Sequence, residues 1–275
     1  MTYNTEGIIL KYRDVGEFDR IYTVLSAEHG KIDAWAQGVR KPKSKLVAHL
    51  QPLYFCDFMF ARGRRFDRIA QVRIINRFPE LWVDLQKLSH AIYATSLIDM
   101  VLRPGTKEKS VFELLNKTLT VISSEARNLI PSIGQGVGSL DPARDDKRGD
   151  NGVINIFSLK LLRETGFSPE LHHCVICKGD VQGLSQHFDA LRGGVLCNDC
   201  YMQSGHDAFS ISALTLETLD TVLTSPLTSL EMPDAISREL ATIAEAMMAA
   251  HFGEEPKARI FMDSLVRGLP QMATV

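Results

Sequence analysis

Lys31-Ile32-Asp33-Ala34-Trp35-Ala36 alternates polar and apolar side chains, the period-2 signature of a half-buried strand. It follows Glu28-His29-Gly30, a turn signal, and its alternation sets Lys31, Asp33 and Trp35 on one face against Ile32, Ala34 and Ala36 on the other. Behind it lie two more β-rich runs, Arg20 to Leu25 and Gly7 to Tyr12, separated by Asp14-Val15-Gly16-Glu17. Ahead of it, Leu53 to Ala61 and Arg68 to Ile75 flank the turn Arg62-Gly63-Arg64-Arg65. Five short strands with one long connection before the fourth predict a small closed barrel of the OB type over residues 1–80; an SH3-like barrel is the alternative.

Beyond Phe78-Pro79-Glu80 the period changes. Leu81, Leu85, Leu88, Ile92, Leu97, Val101 and Leu102 recur at helical spacings until Pro104-Gly105. Ser110 is the expected N-cap of a helix from Val111 to Asn128, with Glu113 in the capping-box position. Helical patterning returns from Val153 to Leu162, from Ser212 to Leu223, and from Pro233 to His251, where Ile236, Leu240, Ile243 and Met247 share a face. Arg259 to Val266 reads as a last amphipathic stretch. Residues 131–152 contain five Gly and no apolar period, and exceed the usual ceiling of about 12–15 residues for a connection, so a disordered insertion is expected there.

Two cysteine clamps interrupt the helical half. Cys174-x-x-Cys177 and Cys197-x-x-Cys200 stand nineteen residues apart, close to the spacing of a structural zinc site in which two knuckles bring four thiolates together. Lys178-Gly179-Asp180 and Gly193-Gly194 supply turn chemistry beside each clamp. Two disulfides or four core cysteines are the alternatives, and His172 and His173 read as polar neighbours. Four cysteine ligands leave no open position for water or substrate, so such a zinc holds a small lobe together. The expected fold class is therefore α+β: an N-terminal OB-fold β-barrel, then an all-helical domain over 81–275 with a zinc lobe inserted at about 170–205. Cys56, between Phe55 and Phe58, is expected to be a core thiol.

Catalytic signals are missing. Gly30-Lys31 has Leu25 where a P-loop needs its first glycine, and neither His-Glu-x-x-His nor Gly-x-Ser-x-Gly occurs. Gly134-x-Gly136-x-Gly138 follows no strand and precedes acidic residues, unlike a phosphate loop. No apolar run reaches the roughly 20 residues of a membrane span. The N-terminus carries no signal-peptide pattern, and the cysteines suit a reducing compartment, so a cytoplasmic protein is expected.

The net charge of −2 is uneven. Residues 1–80 hold five Lys and nine Arg against nine Asp and Glu, a net of +5, which leaves −7 for the remainder. Arg40, Lys41, Lys43 and Lys45 crowd the long connection, where Pro42 stiffens the loop, and Arg62, Arg64, Arg65 and Arg68 crowd the turn before the last strand. Trp35, Tyr12, Tyr22 and Phe66 lie in or beside the same strands. Cations along a groove with aromatic faces suit single-stranded nucleic acid, so Arg40, Lys41, Lys43, Lys45, Arg62, Arg64, Arg65 and Trp35 are the candidate nucleic-acid contacts. Were Trp35 and the tyrosines core residues, stacking would be lost.

These motifs resemble a known family. Thr5-Glu6-Gly7-Ile8-Ile9-Leu10-Lys11, Gly16-Glu17-x-Asp19-Arg20, His29-Gly30-Lys31 and Gly38-x-Arg40-Lys41-Pro42-Lys43-Ser44 are similar to the N-terminus of the bacterial recombination mediator RecO. Gly166-Phe167-x-Pro169-x-Leu171, leading into the clamps, resembles its zinc-containing members. The resemblance implies a non-enzymatic protein of DNA repair that binds single- and double-stranded DNA and anneals complementary strands. It also implies partnership with RecR, with the acidic C-terminal tail of single-strand-binding protein and, indirectly, with RecA, in the cytoplasm at the nucleoid. Rival readings are a zinc-ribbon factor of transcription or translation and an OB-fold nuclease or ligase fragment.

Overall fold

The computed structural model describes residues 1–124, 152–181, 187–204, 207–227, 232–253 and 258. The insertion expected at 131–152 lies outside them except for Gly152, as does the amphipathic stretch 259–266.

Five strands form the barrel: β1 (Thr2–Val15), β2 (Asp19–Ser26), β3 (Gly30–Ala36), β4 (Phe55–Ala61) and β5 (Asp67–Asn76). Their order is β1-β2-β3-β5-β4, closed by antiparallel pairing of β1 with β4. β1 is longer than the pattern from Gly7 to Tyr12 suggests, because it serves two neighbours. Its first half pairs with β4 and its second with β2. At Gly7, where the pairings overlap, a Cβ would stand 2.5 Å from a Val24 methyl, so only glycine lets the strand bend across the barrel there. The interior is filled by side chains such as Ile9, Val24, Cys56 and the stacked Phe58 and Phe60, 5.1 Å apart. Cys56 is the expected core thiol, and burial pushes its pKa up to about 12.

The helical half comprises α1 (Pro79–Val83), α2 (Leu85–Val101), α3 (Lys109–Ser123), α4 (Gly152–Glu164), α6 (Ala213–Thr224) and α7 (Asp234–Phe252). Helix α4 lies at its centre, with Ile154 through Leu162 buried among α2, α3, α6 and α7. Its end is a Schellman motif: Phe167 N–H bonds Leu162 O, Gly166 N–H bonds Arg163 O, and Gly166 takes φ +89°. The single helix expected after Pro79 is broken at Asp84, whose carboxylate accepts from the Gln86 and Lys87 amides and starts α2. The cap expected at Ser110 is absent. Helix α3 already includes Ser110, its N-cap Glu108 makes no side-chain cap bond, and Glu113 instead pairs with Lys109 at 3.7 Å.

Between α4 and α6 sits the cysteine lobe, with β6 (His187–Asp189), β7 (Gly194–Leu196), α5 (Asn198–Ser204) and β8 (Phe209–Ser210). The short strands pair in the order β7-β6-β8. Cys174, Phe188, Val195 and Leu196 belong to one buried cluster with the helical core, and Ile8, Leu10 and Leu25 of the barrel join the same cluster. Barrel, helices and lobe therefore share apolar contacts rather than meeting across a wet boundary.

Candidate metal centre and nucleic-acid interface

The four clamp thiols converge. The Sγ atoms of Cys174, Cys177, Cys197 and Cys200 all lie within 4.8 Å of one another, and those of Cys177 and Cys197 are 3.8 Å apart. Tetrahedral ligation at a Zn–S length of ~2.3 Å places sulfurs ~3.8 Å apart, so the donor set matches zinc in chemistry and size. All four cysteines are free thiols, which removes the disulfide alternative. Backbone geometry builds the site. Lys178 adopts φ +61°, the Lys178 amide bonds Cys174 O, and the Cys174 amide bonds Gly179 O, so the first knuckle curls around its own sulfur. Val175 N–H bonds Val195 O, tying the first knuckle to the strand that feeds the second. Gly194 is obligatory there, because a Cβ would stand 2.5 Å from Glu170 O.

Burial pushes the Cys174 thiol up, but amides of Cys197, Cys177 and Ile176 outweigh it and bring the pKa down to about 6. Hydrogen bonding to Cys197, then burial, pushes Cys200 up to about 12. Four thiols this close do not ionise together without a cation among them. His172 and His173 stay outside the cluster, facing Asp220 at 3.9 Å and Glu170 at 3.4 Å.

At the barrel, the β3–β5 seam gathers the second group. Ala34 and Trp35 pair in parallel with Asp67 and Arg68, which brings the turn before β5 beside the exit of β3. Trp35 is half-buried, its ring 6.4 Å from that of Phe66. The Phe66 ring has the guanidinium groups of Arg65 at 5.3 Å and Arg13 at 5.9 Å from its centre. Arg68 donates to Gln37 Oε1 at 2.7 Å. The long connection starts on a scaffold made by Asp19, whose carboxylate accepts from Trp35 Nε1 at 3.0 Å and Gly38 N at 2.6 Å.

Along that loop the cations differ. Arg40 pairs with Asp14 at 3.3 Å, Lys41 reaches over Phe18 at 5.6 Å, and Lys43 and Lys45 are exposed. Arg64 is exposed too; among the described residues, Lys43, Lys45 and Arg64 pair with no carboxylate. Arg62 turns away to Tyr3, 5.3 Å from its ring. Tyr22 is fully buried, so it offers no stacking face, whereas Tyr12 is 40% exposed beneath Arg20, whose guanidinium lies 4.1 Å over its ring. Arg13, Phe18 and Arg20 were not singled out from sequence; their signal was present, since Arg13 and Arg20 flank the first turn, but only strand pairing shows which loops they meet.

A closed five-stranded barrel bearing cations and aromatic rings is joined to helices and to a four-thiol lobe that could hold a metal ion such as zinc. The described helices include none long and apolar enough to cross a membrane. The chain matches the family description "Recombination protein O N terminal" over residues 1–78 and "Recombination protein O C terminal" over residues 137–260. It is 30% identical over 268 residues to a DNA repair protein RecO of Desulforamulus reducens, covering 96% of this chain and 95% of that protein. A second DNA repair protein RecO, from Symbiobacterium thermophilum, is 29% identical over 269 residues, covering 96% and 97%. The chain belongs to the RecO family, and its four-cysteine cluster is consistent with the zinc-type members. Membership makes it a mediator rather than an enzyme.

Proposed function

We propose that this protein is a DNA-binding recombination mediator. It binds single- and double-stranded DNA, anneals complementary single strands and, with RecR, helps load RecA onto DNA coated by single-strand-binding protein, whose acidic C-terminal tail it holds. The observation that carries the reading is the gathering of cations and rings at the β3–β5 seam: Trp35 near Phe66, Phe66 near both Arg13 and Arg65, and exposed cations on the two loops that leave β3 and enter β5. Arg40, Lys41, Lys43 and Lys45, with Arg62, Arg64 and Arg65, neutralise phosphates, while Trp35 offers a partly open face to a base. Residues 1–80 act as the DNA-binding domain. Residues 81–275 form the second domain, with one structural zinc held by Cys174, Cys177, Cys197 and Cys200 at about 170–205. The working place is the cytoplasm, at the nucleoid.

Fluorescence anisotropy with single-stranded oligonucleotides over a salt series tests this. Replacing Arg40, Lys41, Lys43 and Lys45 by alanine is expected to weaken binding regardless of sequence and to lower the salt slope by up to ~3, at ~0.7 per phosphate contact. Trp35→Ala is expected to weaken binding with little change of slope. An unchanged quadruple variant would move the DNA site off this loop. Tight sequence-specific duplex binding with poor annealing would favour a transcription or translation factor.

A further inference from the structure

Asp14 lies near the end of β1, and its carboxylate holds two of the barrel's arginines at once. Arg20 Nε donates to Oδ1 at 2.7 Å, and Arg40 Nη1 stands 3.3 Å from Oδ2. Arg20's bond above all, then the charge of Arg40, keep the carboxyl below its usual range. Two guanidinium groups converging on the oxygens of one anion is an arrangement that equally suits a phosphate. Here the anion is the chain's own, and it is nearly half exposed.

Arg20 has a second hold besides Asp14, its guanidinium resting on the Tyr12 ring, and the Arg40 backbone amide bonds Phe18 O, which fixes the point from which its side chain reaches the turn. Asp19, bonded to Trp35 and Gly38, docks the same turn onto the exit of β3. Removing the Asp14 charge would thus leave Arg20 seated on Tyr12 and Arg40 anchored by its backbone on the adjoining loop, both cations then unpaired.

We propose that Asp14 is an internal phosphate surrogate. It occupies the Arg20–Arg40 pair in the free protein and is displaced by a backbone phosphate when a strand crosses the barrel. The inference rests on the DNA-binding reading above. Its consequence is selectivity. A lone phosphate must compete with a carboxylate tethered at high effective concentration, whereas a phosphate on a strand already held by Lys41, Lys43 and Arg65 is tethered as well. Asp14 would therefore reject small anions and set a threshold that only a polyphosphate backbone passes.

The test is anisotropy of the full chain with labelled oligo-thymidylate over a salt series, with inorganic phosphate as competitor. Asp14→Asn is expected to tighten binding about 2- to 10-fold at low salt, since two exposed ion pairs no longer compete. Because one phosphate occupies the pair in both chains, the salt slope should change by less than the ~0.7 of a single contact. Inorganic phosphate should inhibit Asp14→Asn more effectively than the parent chain. Glu17→Gln removes the same charge from the same turn without touching either arginine, and should have the smaller effect. In an Arg20→Ala/Arg40→Ala background, Asp14→Asn should bring no gain. Equal effects of Asp14→Asn and Glu17→Gln would overturn the surrogate, as would unchanged affinity. Should Asp14→Asn lower the melting temperature, Asp14→Ser in the same assay replaces it, and weaker binding by that variant would make Asp14 a brace and sink the idea. A parent chain that binds no oligonucleotide would defeat the DNA reading itself.

Discussion

Gly30 turns the chain into β3 at φ +70°, and a Cβ there would lie 1.8 Å from Thr106 O. Strain and backbone overlap act together, so Gly30→Ala is expected to cost about 2–5 kcal/mol, measured by urea denaturation. One residue on, Lys31 is buried. Its ammonium donates to Asp99 O at 2.6 Å and Leu102 O at 3.0 Å and pairs with the Asp99 carboxylate at 2.7 Å, which also bonds Lys11. Burial raises the Asp99 pKa, but the bonds from Lys11 and Lys31 outweigh it and leave it lowered. A carboxylate lowered on folding adds stability above its unfolded value, near 4, and that stability is lost as pH falls through the folded value. Asp99→Asn should accordingly flatten the acid side of the stability–pH curve, read by urea melts between about pH 3 and pH 6. A parallel loss at every pH would contradict this. The strand alternation correctly made Lys31 polar against Ile32, yet could not show it buried, because its partners lie 68 and 71 residues away.

Three helix ends receive cations from elsewhere in the chain. Lys31 meets the C-terminus of α2, Lys87 bonds Ser123 O and Ser124 O after α3, and Lys160 and Arg163 reach Ser225 O and Leu223 O at the end of α6. The last carbonyls of a helix have no partner inside it and carry partial negative charge, so they help to accommodate a buried lysine; among the described residues Lys87 and Lys160 pair with no carboxylate, whereas Lys31 also has Asp99. Lys87→Met is expected to cost about 1.5–3 kcal/mol, the worth of charged hydrogen bonds, and to speed amide exchange in the last turn of α3. Unchanged exchange there would show that packing alone holds the end. The same feature explains what the sequence concealed. In α2, Lys87, Ser89, His90 and Thr95 are buried while Leu85 is 51% exposed, so apolar spacing misreports its inner face. In α7 the expected residues Ile236, Leu240, Ile243 and Met247 are all buried, because that helix covers the core with one stripe. Among the barrel strands, β4 alternates buried with half-buried residues, whereas Gly7 to Leu10 of β1 and Ile21 to Ser26 of β2 are buried throughout, because Ile8, Leu10 and Leu25 face the helical core. The thiol site was legible from spacing alone, whereas the arginine–ring cluster needed the β3–β5 pairing.

For the molecule as a whole, the decisive question is how far the metal's influence reaches. A lobe with its own core would unfold alone when the metal is removed, and that is what clamp spacing alone suggests. Here the buried residues of the lobe are continuous with the helices. Cys174 is fully buried, Phe188 and Val195 join the cluster containing α4, α6 and α7, and Phe167 packs on His251 and Phe252 at the end of α7. Strand β7 is tied to the segment following α4 by Val195 N–H to Glu170 O and Glu170 N–H to Gly193 O. Without a cation the thiols repel as they ionise, the knuckles open, and these ties loosen with them. We expect one zinc per chain by metal analysis, and chelation to raise amide exchange across 170–204 together with the C-terminal turns of α4 and α7. The barrel strands β2, β3 and β4 should keep their protection, since their inner faces pack on Ile9, Phe58 and Phe60, apart from the lobe. Exchange confined to 170–204 would mean the shared core is too weak to transmit the loss. A metal-free chain with the full exchange pattern of the untreated protein would remove zinc from the fold altogether.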